Sequence, residues 1–148
     1  MGISSGEIRD LAIIMLAVGN IEDLLTDLKN KDEIDKWTQL KQAGIDLVDM
    51  YDYFDRDVIK KALKRSDSIN NLNTKQSITV SRESLFLWLL FHTFHKTQRK
   101  KPMSERIGSW YKSNEKLILD LLAIYEDEND DLNGDSYKLA VKLCGLIR

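Results

Sequence analysis

The residues of this chain with the most chemical potential are two histidines, one cysteine, an acidic asparagine-containing loop and a dense basic stretch. His92 and His95 stand three residues apart, so on a helix they share a face and could offer two nitrogens to a metal ion. Zinc wants three or four protein ligands. The chain has no other histidine and one cysteine, and Glu83 lies more than two helical turns before His92. No metal is therefore expected. The residue types predict His92 as a hydrogen-bonded core histidine, with His95 in the last turns of its helix, where partial positive charge is favourable.

Nucleophilic catalysis needs a base poised beside a nucleophile. Cys144 falls in an apolar helical pattern and reads as a buried, inert thiol. No Arg precedes either histidine by four to six residues, the spacing common in helical nucleases, and no His-Asp pair occurs. The run Asn129-Asp130-Asp131-Leu132-Asn133-Gly134-Asp135 copies the start of a calcium loop, yet Ala140 occupies the twelfth position, which needs a bidentate Glu. It reads as an acidic turn. No glycine-rich phosphate cradle is present. The expectation is a protein without a catalytic residue, metal or other cofactor.

What remains is charge. Residues 1–55 hold 5 Lys/Arg against 12 Asp/Glu, a balance of −7. Residues 56–112 hold 13 against 4, a balance of +9, and residues 113–148 hold 4 against 8, a balance of −4. Within the basic middle, Arg56, Lys60 and Lys64 recur at helical spacing, flanked by Lys61 and Arg65. A second cluster comprises Lys96, Arg99, Lys100, Lys101, Arg106 and Lys112, with Trp110 and Tyr111 nearby. Cations for a backbone and flat rings for bases are what single-stranded nucleic acid requires. The same residues also suit solvated faces that neutralise the acidic ends, and the two rings suit core or interface anchors. The candidate patch is thus Arg56, Lys60, Lys61, Lys64, Arg65, Lys96, Arg99, Lys100, Lys101, Arg106, Trp110 and Tyr111.

These residues need helices to position them. At 148 residues, with 43% hydrophobic and 31% charged residues and a single proline, the chain has room for one helical domain over 1–148. Leu85 to Phe91 is almost wholly apolar, as a helix packed on every side must be, and too short for a bilayer, which needs roughly 20 apolar residues. It predicts a buried central helix over about 81–100, ended by Pro102, in an all-α bundle of five to seven helices.

Ahead of it, Ile8, Leu11, Met15, Val18, Ile21, Leu25 and Leu28 form a helical stripe. Gly19-Asn20 marks a kink or close-packing point within that stripe. A second helix carries Ile34, Trp37 and Leu40, ends at Ala43-Gly44, and is followed by another capped by Asp46. A helix-turn-helix centred on Gly44 would put Asp46, Asp49 and Asp52 against DNA phosphates, which is electrostatically wrong. Asp55 or Asp57 opens a short helix to about Arg65, and residues 66–80 form a loop with a short extended stretch at Ser77–Val80. Beyond Pro102, Ser104 caps a short helix weakened at Gly108, Ser113 restarts it, and Glu126 to Asp135 is a solvated connector. The last helix buries Tyr137, Ala140, Val141 and Cys144.

One cysteine excludes an internal disulfide and fits a reducing compartment, so an intracellular, cytoplasmic setting is expected. The first six residues lack a signal-peptide pattern, and Gly6 stands where myristoylation wants Ser or Thr. Two functions follow. The first is a non-enzymatic interaction or regulatory module that binds a protein partner through a surface patch. The second is a small single-stranded RNA- or DNA-binding accessory protein using the basic middle, and an Asn- and Lys-containing chain of this size is compatible with a viral or phage origin.

Overall fold

The computed structural model describes residues 5–51, 82–95, 103–129 and 135–146. They form a compact all-α fold with five helices among the described residues: α1 (Ser5–Leu25), α2 (Lys31–Asp49), α3 (Arg82–Phe94), α4 (Glu105–Asn129) and α5 (Asp135–Leu146). No described helix is long and apolar enough to cross a membrane. The expected helix over 55–65, the loop 66–80, the basic run Lys96–Lys101, the stop at Pro102 and most of the calcium-like turn lie outside the described residues.

Local chemistry starts these helices. Asn30 caps α2 by accepting hydrogen bonds from the backbone N–H groups of Asp32 (2.9 Å) and Glu33 (3.2 Å). Those two carboxylates sit in the first turn, where the helix dipole favours them. Ser104 accepts from the N–H of Ile107 at 3.3 Å and opens α4. In the opposite direction, polar side chains inside helices donate to backbone carbonyls one turn back: the Asn20 amide to that of Leu16 and the Ser113 hydroxyl to that of Ser109.

Helix α3 packs against α1, α4 and α5, while α2 packs against α1 and α4. Every residue from Ser84 to Leu90 is buried, as a helix covered on several sides requires. One apolar cluster joins all five helices, from Leu11 through Trp37, Leu89 and Ile118 to Ala140 and Cys144. Trp37 is 1% exposed, and its indole N–H donates to the Tyr125 hydroxyl at 3.1 Å, tying α2 to α4.

Three expected breaks are absent. Helix α2 runs unbroken through Ala43-Gly44, so Asp46 caps nothing and no helix-turn-helix exists there. Gly44 is instead a point of close approach between α1 and α2. A Cβ at this position would lie 2.6 Å from Val18 Cγ2 and 3.2 Å from Ile14 Cγ2. Gly19, expected to mark a kink or a close contact, is exposed within an unbroken α1, and a Cβ there would meet nothing within 4 Å. Helix α4 likewise runs through Gly108 and Ser113, and it continues through Glu126 to Asn129, so the acidic connector is helical at its start. Val141, expected in the core, is 37% exposed, because α5 presents Ala140 and Cys144 to the interior.

Candidate functional site

Three members of the candidate patch fall on the first two turns of α4. The other nine, Arg56, Lys60, Lys61, Lys64, Arg65, Lys96, Arg99, Lys100 and Lys101, lie outside the described residues. Arg106 is exposed. One of its Nη atoms donates to the Met50 carbonyl at 3.1 Å, and its guanidinium lies 4.9 Å from the centre of the Tyr51 ring. The Tyr51 hydroxyl in turn donates to Glu7 at 3.0 Å. Burial raises the Tyr51 pKa, opposed by a hydrogen bond from Ser104 and reinforced by Glu7, so the phenol stays protonated and keeps donating. The start of α1, the end of α2 and the start of α4 thus meet at one corner. Met50 stands there 57% exposed.

The two rings of the patch serve the interior. Trp110 is half-buried, packs edge-on to Phe94 at 5.7 Å, and donates its indole N–H to the Ala43 carbonyl at 2.9 Å. Tyr111 is 4% exposed, and its hydroxyl is buried without a hydrogen-bond partner. Burial, then the nearby Glu115 carboxylate, pushes its pKa well above the ordinary phenol range. Stacking a base needs an open ring face, and Tyr111 has none in this arrangement. Helical phase explains the placement. Tyr111 and Ile118 are seven residues apart on the buried stripe of α4, whereas Arg106, Lys112 and Lys116 lie off it.

The two histidines are divided between different neighbours. His95 stacks on Phe91 at 4.4 Å and faces α4, with Nε2 3.6 Å from a Glu115 oxygen. His92 faces α5, with its ring 5.9 Å from that of Tyr137. Among the described residues no group of three or more His, Cys, Asp and Glu side chains could hold a metal ion. The hydrogen-bonded core histidine expected at 92 is corrected in two respects: its ring is only partly buried, and its Nδ1, which is closed to solvent, has no partner. Burial, and then the positive charge of Arg9, lowers its pKa. Cys144 is buried as expected, its sulfur 3.5 Å from the Thr93 hydroxyl.

Two polar features escaped the sequence reading. Asp10 is 1% exposed although it sits in the opening turns of α1, with Arg9 3.8 Å away. The Glu7–Tyr51 bond joins residues 44 apart in sequence. Neither has a local sequence signal, because both depend on how α1 docks. A cavity of about 10 Å³ lies between α1, α2, α3 and α4, lined by apolar residues that include Ile14, Ala17, Leu40 and Leu90. That is room for at most about one water, in a lining that offers it few partners. Against protein families, characterised proteins and solved structures, the chain finds no match.

Proposed function

We propose that this chain is a non-enzymatic interaction module that binds a protein partner through the corner formed by Met50, Tyr51 and Arg106. The observation that carries this reading is a 57% exposed methionine beside an arginine already fixed at its inner side. Met, Arg and aromatic residues are enriched in interface cores. An arginine held on a ring and a carbonyl loses less freedom on binding than a free one, which favours affinity. Around it, Asp46, Asp49 and Glu105 form an exposed polar rim.

The test is a pull-down with nuclease-treated source lysate and mass spectrometry, using wild type, Met50→Asp and Arg106→Ala. A single protein retained by wild type at moderate salt and lost with both variants, whose circular dichroism stays native, supports the reading. Retention unaffected by either change overturns it. Capture that disappears with nuclease treatment, together with oligonucleotide binding that weakens steeply with salt, points to the nucleic-acid reading through the basic middle segment.

A further inference from the structure

We propose that α5 is a pH-released cover on α3, latched while His92 is neutral and let go when its imidazole takes a proton. Among the described residues, the helix that α5 packs against is α3. On the α5 side the seam is made by Tyr137, the buried Ala140 and the buried Cys144. On the α3 side it is made by Trp88, His92 and Thr93: Trp88 meets the Tyr137 ring at 5.4 Å, His92 meets it at 5.9 Å, and Thr93 meets the Cys144 sulfur at 3.5 Å. One titratable imidazole therefore sits in the middle of the contact.

That imidazole is poorly placed to carry charge. Its Nδ1 is closed to solvent and has no hydrogen-bond partner. A proton there would create a cationic N–H with no acceptor, at a cost larger than that of a neutral orphan. The groups around it add to this. Arg9 of α1 contributes positive charge, only partly offset by Asp10, whose carboxylate is 3.8 Å from the guanidinium. Tyr137 is the ring facing it from α5. From α4, Glu115 is engaged with His95, one turn on, and not with His92. The exposed Lys138 and Lys142 of α5 supply no anion. Burial and Arg9 thus hold His92 below its ordinary pKa while α5 is docked. Once α5 lifts, Nδ1 meets water and the ring regains its ordinary proton affinity. Acid therefore favours the open form, beginning as pH falls through about 6.5 and ending at the docked pKa. Opening uncovers the seam face of α3 and frees Cys144.

Cys144 is the chain's only cysteine, so its labelling reports on this seam alone. The full chain is labelled with 4,4′-dithiodipyridine, and each rate is divided by that of urea-unfolded protein at the same pH. This removes the thiol's own ionisation. The ratio is expected to be flat near about pH 7.5 and to rise below about 6.5, by up to roughly tenfold for each unit by which the docked His92 pKa is depressed. The NMR signal of the Trp37 indole N–H, bonded to the Tyr125 hydroxyl, should stay native throughout. His92→Gln should flatten the rise, and His95→Gln should keep it. Should His92→Gln fail to fold, the wild-type NMR titration of His92 must share its midpoint with thiol exposure. A flat wild-type ratio overturns the proposal. So does a rise that persists in His92→Gln, one that appears only with loss of the Trp37 signal, or two separated midpoints.

Discussion

The α1–α2 seam and the α3–α5 seam join helices in the same core with different materials. At the first, Gly44 lets two backbones approach until only the methyl groups of Val18 and Ile14 stand between them. Trp37, Leu40, Leu47 and Val48 of α2 are buried in the same core. No titratable group lies in the Gly44 contact itself. The Lys41–Glu22 ion pair crosses the same seam at 3.5 Å but is open to solvent and contributes little, so this seam rests on shape and apolar area. At the second seam, the contact includes an imidazole, a threonine hydroxyl, a thiol and a phenol ring. Shape still matters there, but so does protonation. Two seams of one core can therefore respond differently to the same change of conditions.

The largest expected effect is at Trp37. Trp37→Ala removes a fully buried ring and its bond to Tyr125 and should cost about 3–5 kcal/mol in urea unfolding, independent of pH between about 5 and 8. Trp88→Ala at the other seam belongs to the same size class. Its hallmark is faster labelling of Cys144, because Trp88 contacts Tyr137 of α5. A loss below about 1 kcal/mol at either position, typical of a surface change, would place that tryptophan outside the core.

Gly44→Ala probes the shape of the first seam. Val18 is β-branched and stiff in a helix, so its methyl group gives way reluctantly to a new Cβ. Overpacking costs roughly 1–3 kcal/mol and the alanine regains up to about 1 kcal/mol of helix propensity, so a net loss is expected. Val18→Ala in the same chain should recover part of it. Additive losses in this double-mutant cycle would mean that the two residues do not press on each other.

His92 probes the charge of the second seam through global stability. Its folded pKa lies below the unfolded value, so its contribution is fully present above about pH 6.5 and is lost as pH falls toward the folded pKa. The urea midpoint of wild type should drop over that window more than that of His92→Gln. Parallel curves would remove His92 from the account. The smallest effect is at Gly19, where a Cβ meets nothing within 4 Å. Gly19→Ala should stabilise by about 0.5–1 kcal/mol through backbone entropy, opposite in sign to Gly44→Ala. Equal signs at the two glycines would contradict the close approach at Gly44.

Of the seven-residue stripe expected in α1 only Leu11 and Ile21 are buried, while Ile13, Ile14 and Leu24 off it are buried too. The sequence by itself determined the helical class, the helicity of α1, the buried run through Leu85–Leu90 and the Ser104 start. Those features are periodic or local: side-chain phase and capping chemistry act within a turn or two of the chain. Only the tertiary structure decided which glycine is structural. Gly19, Gly44 and Gly108 carry the same local signal, and only Gly44 faces another helix closely enough to exclude a Cβ. It also decided that Tyr111 turns inward while Arg106 stays outside, that Asp10 is buried, and that His92 and His95 face different helices. Each of these depends on which element arrives from far along the chain, 44 residues away for Glu7 and Tyr51 and 88 for Trp37 and Tyr125. A residue's chemistry is written in its type, but its partners are set by how the helices dock.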